Sequence, residues 1–149
     1  MQGNLDPSAR VAIAGVIPAQ QAAVGTVTSG WVDMRAFSAV LATLNVGVIG
    51  ASGTLDAKIE QATDASGTSA KAVAGLALVQ LVKAGGDNRQ AAINVRPEDL
   101  DKNGNFKFVR LSVTVGVAAT FLSAILAGLD ARYGAAGANQ INTVAQTVS

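Results

Sequence analysis

The segment Asp101–Asn105, DKNGN, carries oxygen ligands at alternating positions, the spacing with which a calcium-binding loop begins. The rest of that pattern is missing. The glycine follows Asn103 instead of Asn105, and Ser112 stands where a bidentate glutamate is required. An Asn-Gly turn accounts for the same residues. We therefore expect no metal ion at this loop.

Other chemistry is limited by composition. The chain has no histidine and no cysteine, which removes imidazole bases, thiolate nucleophiles, disulfides and nearly all zinc, copper and haem ligand sets. The acids Glu98, Asp99 and Asp101 share one polar turn and lack the contrasting environments that acid–base catalysis needs. The glycine-rich segment Gly50–Thr54 lacks the lysine of a phosphate-binding loop. We expect no catalytic residues and no cofactor, and hence a protein that is not an enzyme.

Large side chains that could contact a partner cluster on one predicted strand. From Val109 to Val117 the odd positions form a row of valine and leucine, while Phe106 and Phe108 share the opposite face with Arg110. Aromatic residues on strands usually face the core. If the valine row takes the core side, the two phenylalanines face a second sheet or a partner. The candidate interface residues are Trp31, Phe106, Phe108, Arg110 and Tyr133.

Short strands separated by turn residues must position these side chains. Alternation predicts strands at Ala36–Val48 and Leu55–Glu60. Leu76–Val82 and Ala91–Val95 flank a turn-rich segment and are predicted to form a hairpin or two neighbouring strands. Pro97, followed by two acids, predicts a single helical turn.

The segment Leu111–Leu129 contains no charged residue and raises the question of a membrane span. A spanning helix needs about 20 predominantly apolar residues, and this run includes several Ser, Thr and Gly. Its start also continues the strand alternation of the valine row. We therefore predict a strand at Phe106–Val117, a turn at Ala118–Thr120 and a second strand at Phe121–Ala127, paired as a hairpin, and no membrane contact.

Many short strands without a long helical pattern predict an all-β fold, a single β-sandwich or jelly-roll-like domain with irregular terminal arms. We place the sandwich at residues 25–133. Residues 1–24 form an N-terminal arm or a first strand region, and residues 134–149 form a C-terminal arm, both ordered mainly by neighbouring molecules. The formal net charge of +1 and the scattered cations argue against nucleic acid as a partner. The N-terminus does not read as a secretory signal, so synthesis in the cytoplasm is expected.

Three segments in order carry a resemblance. They are GWVDMRAFSAVLATLNVG, TLDAKIEQATDASGT and VKAGGDNRQAAINVRPEDLDKNGNFKFVRLSVTV, with a closing DARYGAA. Their V-D-x-x-x-F, K-F-V-R-L and R-Y motifs resemble those of small tailed-bacteriophage virion proteins built on a β-sandwich, over Gly30–Ala136. The resemblance marks Phe106, Val109 and Arg110 as strand positions and Tyr133 as the end of the last strand. It carries no catalytic residues over.

The resemblance implies a head decoration or cement protein on the capsid surface of the virion. Its expected partners are the major capsid protein and further copies of itself, as a homo-oligomer. Two alternatives stay open: a tail or head-to-tail connector subunit, and a carbohydrate-binding β-sandwich module. A glycan module needs several exposed aromatic rings, for which Trp31 and Tyr133 are the candidates outside the phenylalanine-rich strand.

Overall fold

The structure is a computed structural model that describes residues 5–148. Residues 1–4 and Ser149, which belong to the two predicted arms, lie outside the described residues. The strands are β1 (Val11–Ala22), β2 (Gly25–Thr28), β3 (Val32–Asp33), β4 (Phe37–Ile49), β5 (Thr54–Ala62), β6 (Lys71–Ala77), β7 (Leu81–Val82), β8 (Gln90–Val95), β9 (Phe108–Gly116) and β10 (Thr120–Ala131). Two short helices, α1 (Pro7–Arg10) and α2 (Lys83–Gly86), and two 3₁₀ turns at Pro97–Asp99 and Ala136–Asn139 complete the fold.

The strands form two antiparallel sheets packed face to face. The first sheet has four strands in the order β1-β10-β4-β8. The second has six strands in the order β2-β9-β5-β6, with β3 beside β9 and β7 beside β5. The chain crosses repeatedly between the two sheets, with β2–β3 and β5–β7 as consecutive strands of the second sheet, and the first strand of the first sheet pairs with its last. This is a jelly-roll β-sandwich, which confirms the predicted fold class.

The core lies between the sheets and is built by strand alternation. On β9 the buried residues are Val109, Leu111, Val113 and Val115, each at most 1% exposed. Inward residues of β10, such as Leu126, belong to the same buried cluster. Burying one such side chain stabilises the fold by about 1.5–3 kcal/mol. The valine row predicted from the sequence is thus the core face of β9.

Several predicted elements are confirmed. Ala36–Val48 lies almost entirely in β4, Leu55–Glu60 lies within β5, and Pro97 begins a 3₁₀ turn. The uncharged run Leu111–Leu129 is strand through most of β9 and β10. Among residues 5–148 no helix is both long enough and apolar enough to cross a membrane.

The predicted hairpin between β9 and β10 is wrong. Both strands exist, but β9 belongs to the second sheet and β10 to the first, so the turn between them crosses from one sheet to the other. The valine row accordingly ends at Val115, because Val117 lies in the crossing, is 68% exposed and has a φ of 67°. Period-2 alternation identifies a strand but does not identify its neighbour.

The hairpin alternative for Leu76–Val82 and Ala91–Val95 is also wrong. The first segment contains the end of β6 and all of β7, which pair with β5 in the second sheet. The second segment lies in β8, which pairs with β4 in the first sheet. Helix α2 connects them, and Gly86 lies so close to Ile49 that an added side-chain carbon would be 2.7 Å from its Cδ1.

The terminal segments pack on the sandwich. Strand β1 is an integral part of the first sheet, because it pairs with β10 from Val11 to Ala22 and buries Ala12 and Ile17. The first sheet thus includes Val11–Ala22 as one of its edge strands. On the C-terminal side Ala136 is fully buried, and the Ile141 amide donates to the Ile13 carbonyl at 3.0 Å.

Candidate functional site

The candidate site lies on the outer face of the second sheet, where β3, β9 and β5 meet. Because Val109 and Leu111 point into the core, Phe108 and Arg110 point outward. The register places Arg110 opposite Glu60. Two residues that are 50 positions apart in the chain therefore share one patch of surface.

The first stack joins Trp31, Arg110 and Glu60. The guanidinium carbon of Arg110 lies 4.4 Å from the centre of the Trp31 ring. Its Nε and one terminal nitrogen each lie 2.8 Å from Oε2 of Glu60. The indole edge packs against Gly67, where an added side-chain carbon would be 2.7 Å from Nε1 of Trp31. The ring is thus half-buried and held on one face by a cation that is itself held by a carboxylate.

The second stack joins Phe108, Arg35 and Asp33. The guanidinium carbon of Arg35 lies 5.7 Å from the Phe108 ring centre. Arg35 binds both oxygens of Asp33, with Nε 2.9 Å from Oδ1 and a terminal nitrogen 2.7 Å from Oδ2. Burial favours the neutral acid, but the hydrogen bonds from Arg35 outweigh burial and hold the pKa of Asp33 below its usual value.

The third stack joins Phe106, Lys71 and Asp101. Nζ of Lys71 lies 4.3 Å from the Phe106 ring centre and 2.6 Å from Oδ2 of Asp101. The hydrogen bond from Lys71, followed by one from the Gly104 amide, holds the pKa of Asp101 below its usual value. The Asp101 amide donates to the buried side chain of Gln61 at 2.8 Å. The segment DKNGN is therefore a turn whose single carboxylate, Asp101, is engaged by a lysine and a backbone amide.

A groove of about 710 Å³ adjoins the stacks. Phe106 and Tyr133 line it, and Tyr133 is 85% exposed. The remaining lining residues include one acid, Asp33, and four cations: Arg35, Lys102, Lys107 and Arg132. An excess of cations beside aromatic rings suits an acidic side chain or an acidic loop.

The five predicted candidates therefore fall on one contiguous region. Trp31, Phe108 and Arg110 lie on the outer face of the second sheet, and Phe106 and Tyr133 lie in the groove at its end. Whether this region binds a partner stays a prediction. We name the whole region the stacked surface, and it comprises Trp31, Asp33, Arg35, Glu60, Lys71, Asp101, Phe106, Phe108, Arg110 and Tyr133.

Sequence reasoning missed the charged members of the stacks. The alternation of Asp56, Lys58 and Glu60 indicates a solvent-exposed strand face, but it does not show which cation lies opposite each acid. Lys71 and Asp101 meet because a bulged edge strand and a loop converge, which no local pattern reveals.

In the described part of the chain, the acidic side chains are not grouped as metal ligands. Across residues 5–148 there is no group of three or more acidic side chains placed to hold an ion. The carboxylates of the stacked surface each face a cation at 2.6–2.8 Å. What this surface offers is fixed aromatic edges, cations and carboxylates, the chemistry of a binding surface.

No family model matches the sequence, and no curated protein matches it. Solved structures similar to the chain include a CBM4 domain, with 15% identity over 69% of this chain and a TM-score of 0.42. The chain spans 61% of the length of that CBM4 chain. The empty top component of cowpea mosaic virus has 10% identity, covers 87% of this chain and 89% of its own, and gives a TM-score of 0.43.

A third similar structure is the CBM22-2 xylan-binding domain of Xyn10C from Paenibacillus barcinonensis. It has 9% identity, covers 75% of this chain and 88% of its own, and gives a TM-score of 0.38. The similar structures thus include both viral capsid proteins and carbohydrate-binding modules. Structural similarity this distant does not distinguish a capsid role from carbohydrate binding. The choice between the two functions therefore depends on the stacked surface.

Proposed function

We propose that the chain is a non-enzymatic structural protein of a virus particle, a capsid decoration protein whose stacked surface binds the major capsid protein. The observation that carries the proposal is the state of the aromatic rings. Trp31, Phe106 and Phe108 each lie beneath a cation, and each cation is paired with a carboxylate.

This arrangement favours a protein partner over a glycan. Sugar rings bind by stacking on open aromatic faces, and here Arg110 already occupies a face of Trp31. Of the candidate aromatics, Tyr133 alone is largely exposed. Arginine and aromatic side chains are enriched at protein interfaces. Side chains that are already fixed by ion pairs lose less conformational freedom when a partner binds.

Many weak copies of such a contact are sufficient on a shell. A decoration protein meets its partner at every equivalent lattice position, so modest single contacts add up to firm attachment. The cationic groove fixes the orientation of the protein on the capsid, because it accepts an acidic segment of the partner next to the exposed ring of Tyr133.

Co-sedimentation with capsids assembled without this protein tests the proposal. Native protein is expected to pellet with the capsids, and the double variant Arg110→Gln, Tyr133→Ser is expected to lose at least tenfold in affinity. Val79→Ser, a change at a residue 88% exposed in the loop between β6 and β7, is the control. Saturable binding of a soluble xylan or glucan that the double variant abolishes, without capsid binding, would instead favour the glycan alternative.

A further inference from the structure

The two sheets differ sharply in charge. The four strands of the first sheet contain a single charged residue, Asp130, near the end of β10. In the second sheet, by contrast, the single strand β5 contains three charged residues, Asp56, Lys58 and Glu60. The charged side chains of the sandwich thus concentrate on one side, and the outer face of the first sheet carries almost none.

That outer face carries large apolar side chains among uncharged polar ones such as Asn45, Gln90 and Asn94. On β10 the inward residues alternate with Phe121, Ile125 and Leu129, and the first two of these are 49% and 40% exposed. The register places Ile13 and Val16 of β1 on the same face, opposite Ala127 and Ile125, and Leu41 of β4 opposite Ala127 from the other side. We name this surface the apolar face, with Ile13, Val16, Leu41, Phe121, Ile125 and Leu129 as its large side chains.

Large and small side chains alternate across the apolar face. Phe121 sits beside Gly47, where an added side-chain carbon would be 2.9 Å from Cβ of Phe121. Further along the pair of strands, Ile125 stands opposite Thr43. At the next outward position of β10 the sizes are reversed, because the large Leu41 of β4 stands opposite the small Ala127. Such a surface has ridges and gaps that an identical surface can fill when turned by half a turn.

The edge of the sheet next to this face is already occupied. The Ile141 amide donates to the Ile13 carbonyl at 3.0 Å, and the 3₁₀ turn at Ala136–Asn139 buries Ala136 beside β1. A partner strand therefore finds the β1 edge engaged near Ile13. At that point an incoming molecule meets the face of the sheet instead of its edge.

The size of the face matches a protein interface. Four strands spaced about 4.8 Å apart, each contributing about ten residues at about 3.3 Å, span about 600 Å². A stable interface buries about 800 Å² per partner, and rim residues such as Val48, which is 48% exposed, extend the face toward that value.

We propose that the apolar face binds a second copy of this chain, sheet against sheet, in a two-fold dimer. Charge selects this occupant. A charged partner would lose hydration on an uncharged face without gaining an ion pair, whereas a second copy brings the same uncharged surface. In the dimer the two stacked surfaces lie on opposite outer sides, free for other partners. This inference goes beyond the proposed function and stands without it.

Mass measurement in solution tests the dimer. Sedimentation equilibrium of the native chain is expected to give twice the chain mass of 14.9 kDa at micromolar concentration. Ile125→Lys and Leu41→Lys place a cation on the apolar face and are expected to weaken the dimer at least a hundredfold. Thr114→Lys, an exposed change on the outer face of the second sheet, is the matched control and is expected to stay dimeric.

Single-cysteine cross-linking gives a second readout that does not depend on the lysine variants folding. The native chain has no cysteine, so Ser123→Cys on the apolar face and Thr114→Cys on the second sheet each carry one thiol. A flexible bismaleimide is expected to cross-link the first variant into dimers and to leave the second monomeric on a denaturing gel.

Three results would overturn the proposal. They are a native chain that stays monomeric at a hundred micromolar, an oligomer that both lysine variants leave intact, and equal cross-linking of the two cysteine variants. A monomer whose capsid binding fails in the Ile125→Lys variant would assign the apolar face to the capsid protein instead. Loss of capsid binding in the stacked-surface variant of an intact dimer would leave this inference standing.

Discussion

Arg110 lies over the ring of Trp31 at 4.4 Å while its guanidinium binds Glu60 at 2.8 Å. Both members of this ion pair are largely shielded from water, with exposed side-chain fractions of 27% and 15%. A charge pair in such a place is held by geometry and is costly to break on one side only. Loss of this ion pair would therefore both destabilise the sandwich and change the shape of its candidate binding surface.

Replacing Glu60 by glutamine should destabilise the fold, because it leaves the half-buried Arg110 guanidinium without its counter-charge. We expect a loss of about 1–3 kcal/mol in the free energy of unfolding, measured by urea denaturation. Glu98→Gln is the matched control, since Glu98 is 57% exposed and 3.6 Å from Arg96, and it should cost less than about 0.5 kcal/mol. Equal effects of the two variants would show that the stack adds no stability.

Gly67→Ala should displace the indole of Trp31. Gly67 has a φ of 83°, and an added side-chain carbon would be 2.7 Å from Nε1 of the ring. Gly134→Ala is the control, since its φ is 72° and nothing lies within 4 Å of the added carbon. Both variants should lose about 1–2 kcal/mol from backbone strain, but only Gly67→Ala should shift the fluorescence of the single tryptophan to longer wavelength. An unchanged spectrum would place the indole elsewhere.

Val117→Asn should stabilise the protein. Val117 is a β-branched residue with a φ of 67° and is 68% exposed, so its side chain contributes little burial while its backbone is strained. Asparagine tolerates this conformation, and we expect a gain of about 1 kcal/mol. The same change at Val48, 48% exposed on strand β4, should instead lower the melting temperature. A loss of stability at both positions would refute the strain argument.

Stability should fall in acid and stay level near neutrality. Hydrogen bonds from Lys83 and the Ile49 amide hold the pKa of Asp87 below its usual value, as Lys71 and Gly104 do for Asp101. The folded pKa values lie below the unfolded value of about 3.9. Their stabilisation is therefore complete above about pH 5 and lost as the pH falls through the folded values.

Urea midpoints measured from pH 2 to pH 7 check this expectation. Asp101→Asn should be less stable than native protein at pH 7, and the difference should shrink toward zero at pH 2. Between pH 5 and pH 7 both curves should be flat, since the chain has no histidine. A clear step within that interval would require another titrating group.

Local alternation predicted much of the fold, and topology accounts for the errors. The row from Val109 to Val115 identified the core face of β9, because burial on one side of a strand leaves a period of two in the sequence. The same period in β10 gave no sign that this strand joins the other sheet. Pairing is fixed by contacts between distant segments, such as Val11 with Leu129, and these leave no local trace.

The candidate site likewise contains some residues whose placement the sequence predicted and others whose placement it did not. Phe108 and Arg110 were predicted to point away from the core, because they alternate with the valine row. Their charged neighbours were not predicted, since Glu60 meets Arg110 only through strand register. Tyr133 and Phe106 share a groove because two loops converge on it, and loop convergence depends on the finished fold.

The pairing of β1 with β10 also sets the order of events during synthesis. Strand β4 can pair with β8 as soon as both have left the ribosome, but β1 has no partner in the first sheet until β10 emerges. Until then the uncharged β1 segment has no partner strand in the first sheet, and a segment in this state is prone to associate with other nascent chains. Closure of the sheet joins residues more than a hundred positions apart, which is a slow step in folding. From the position of this one strand we expect that chaperones assist folding during that interval.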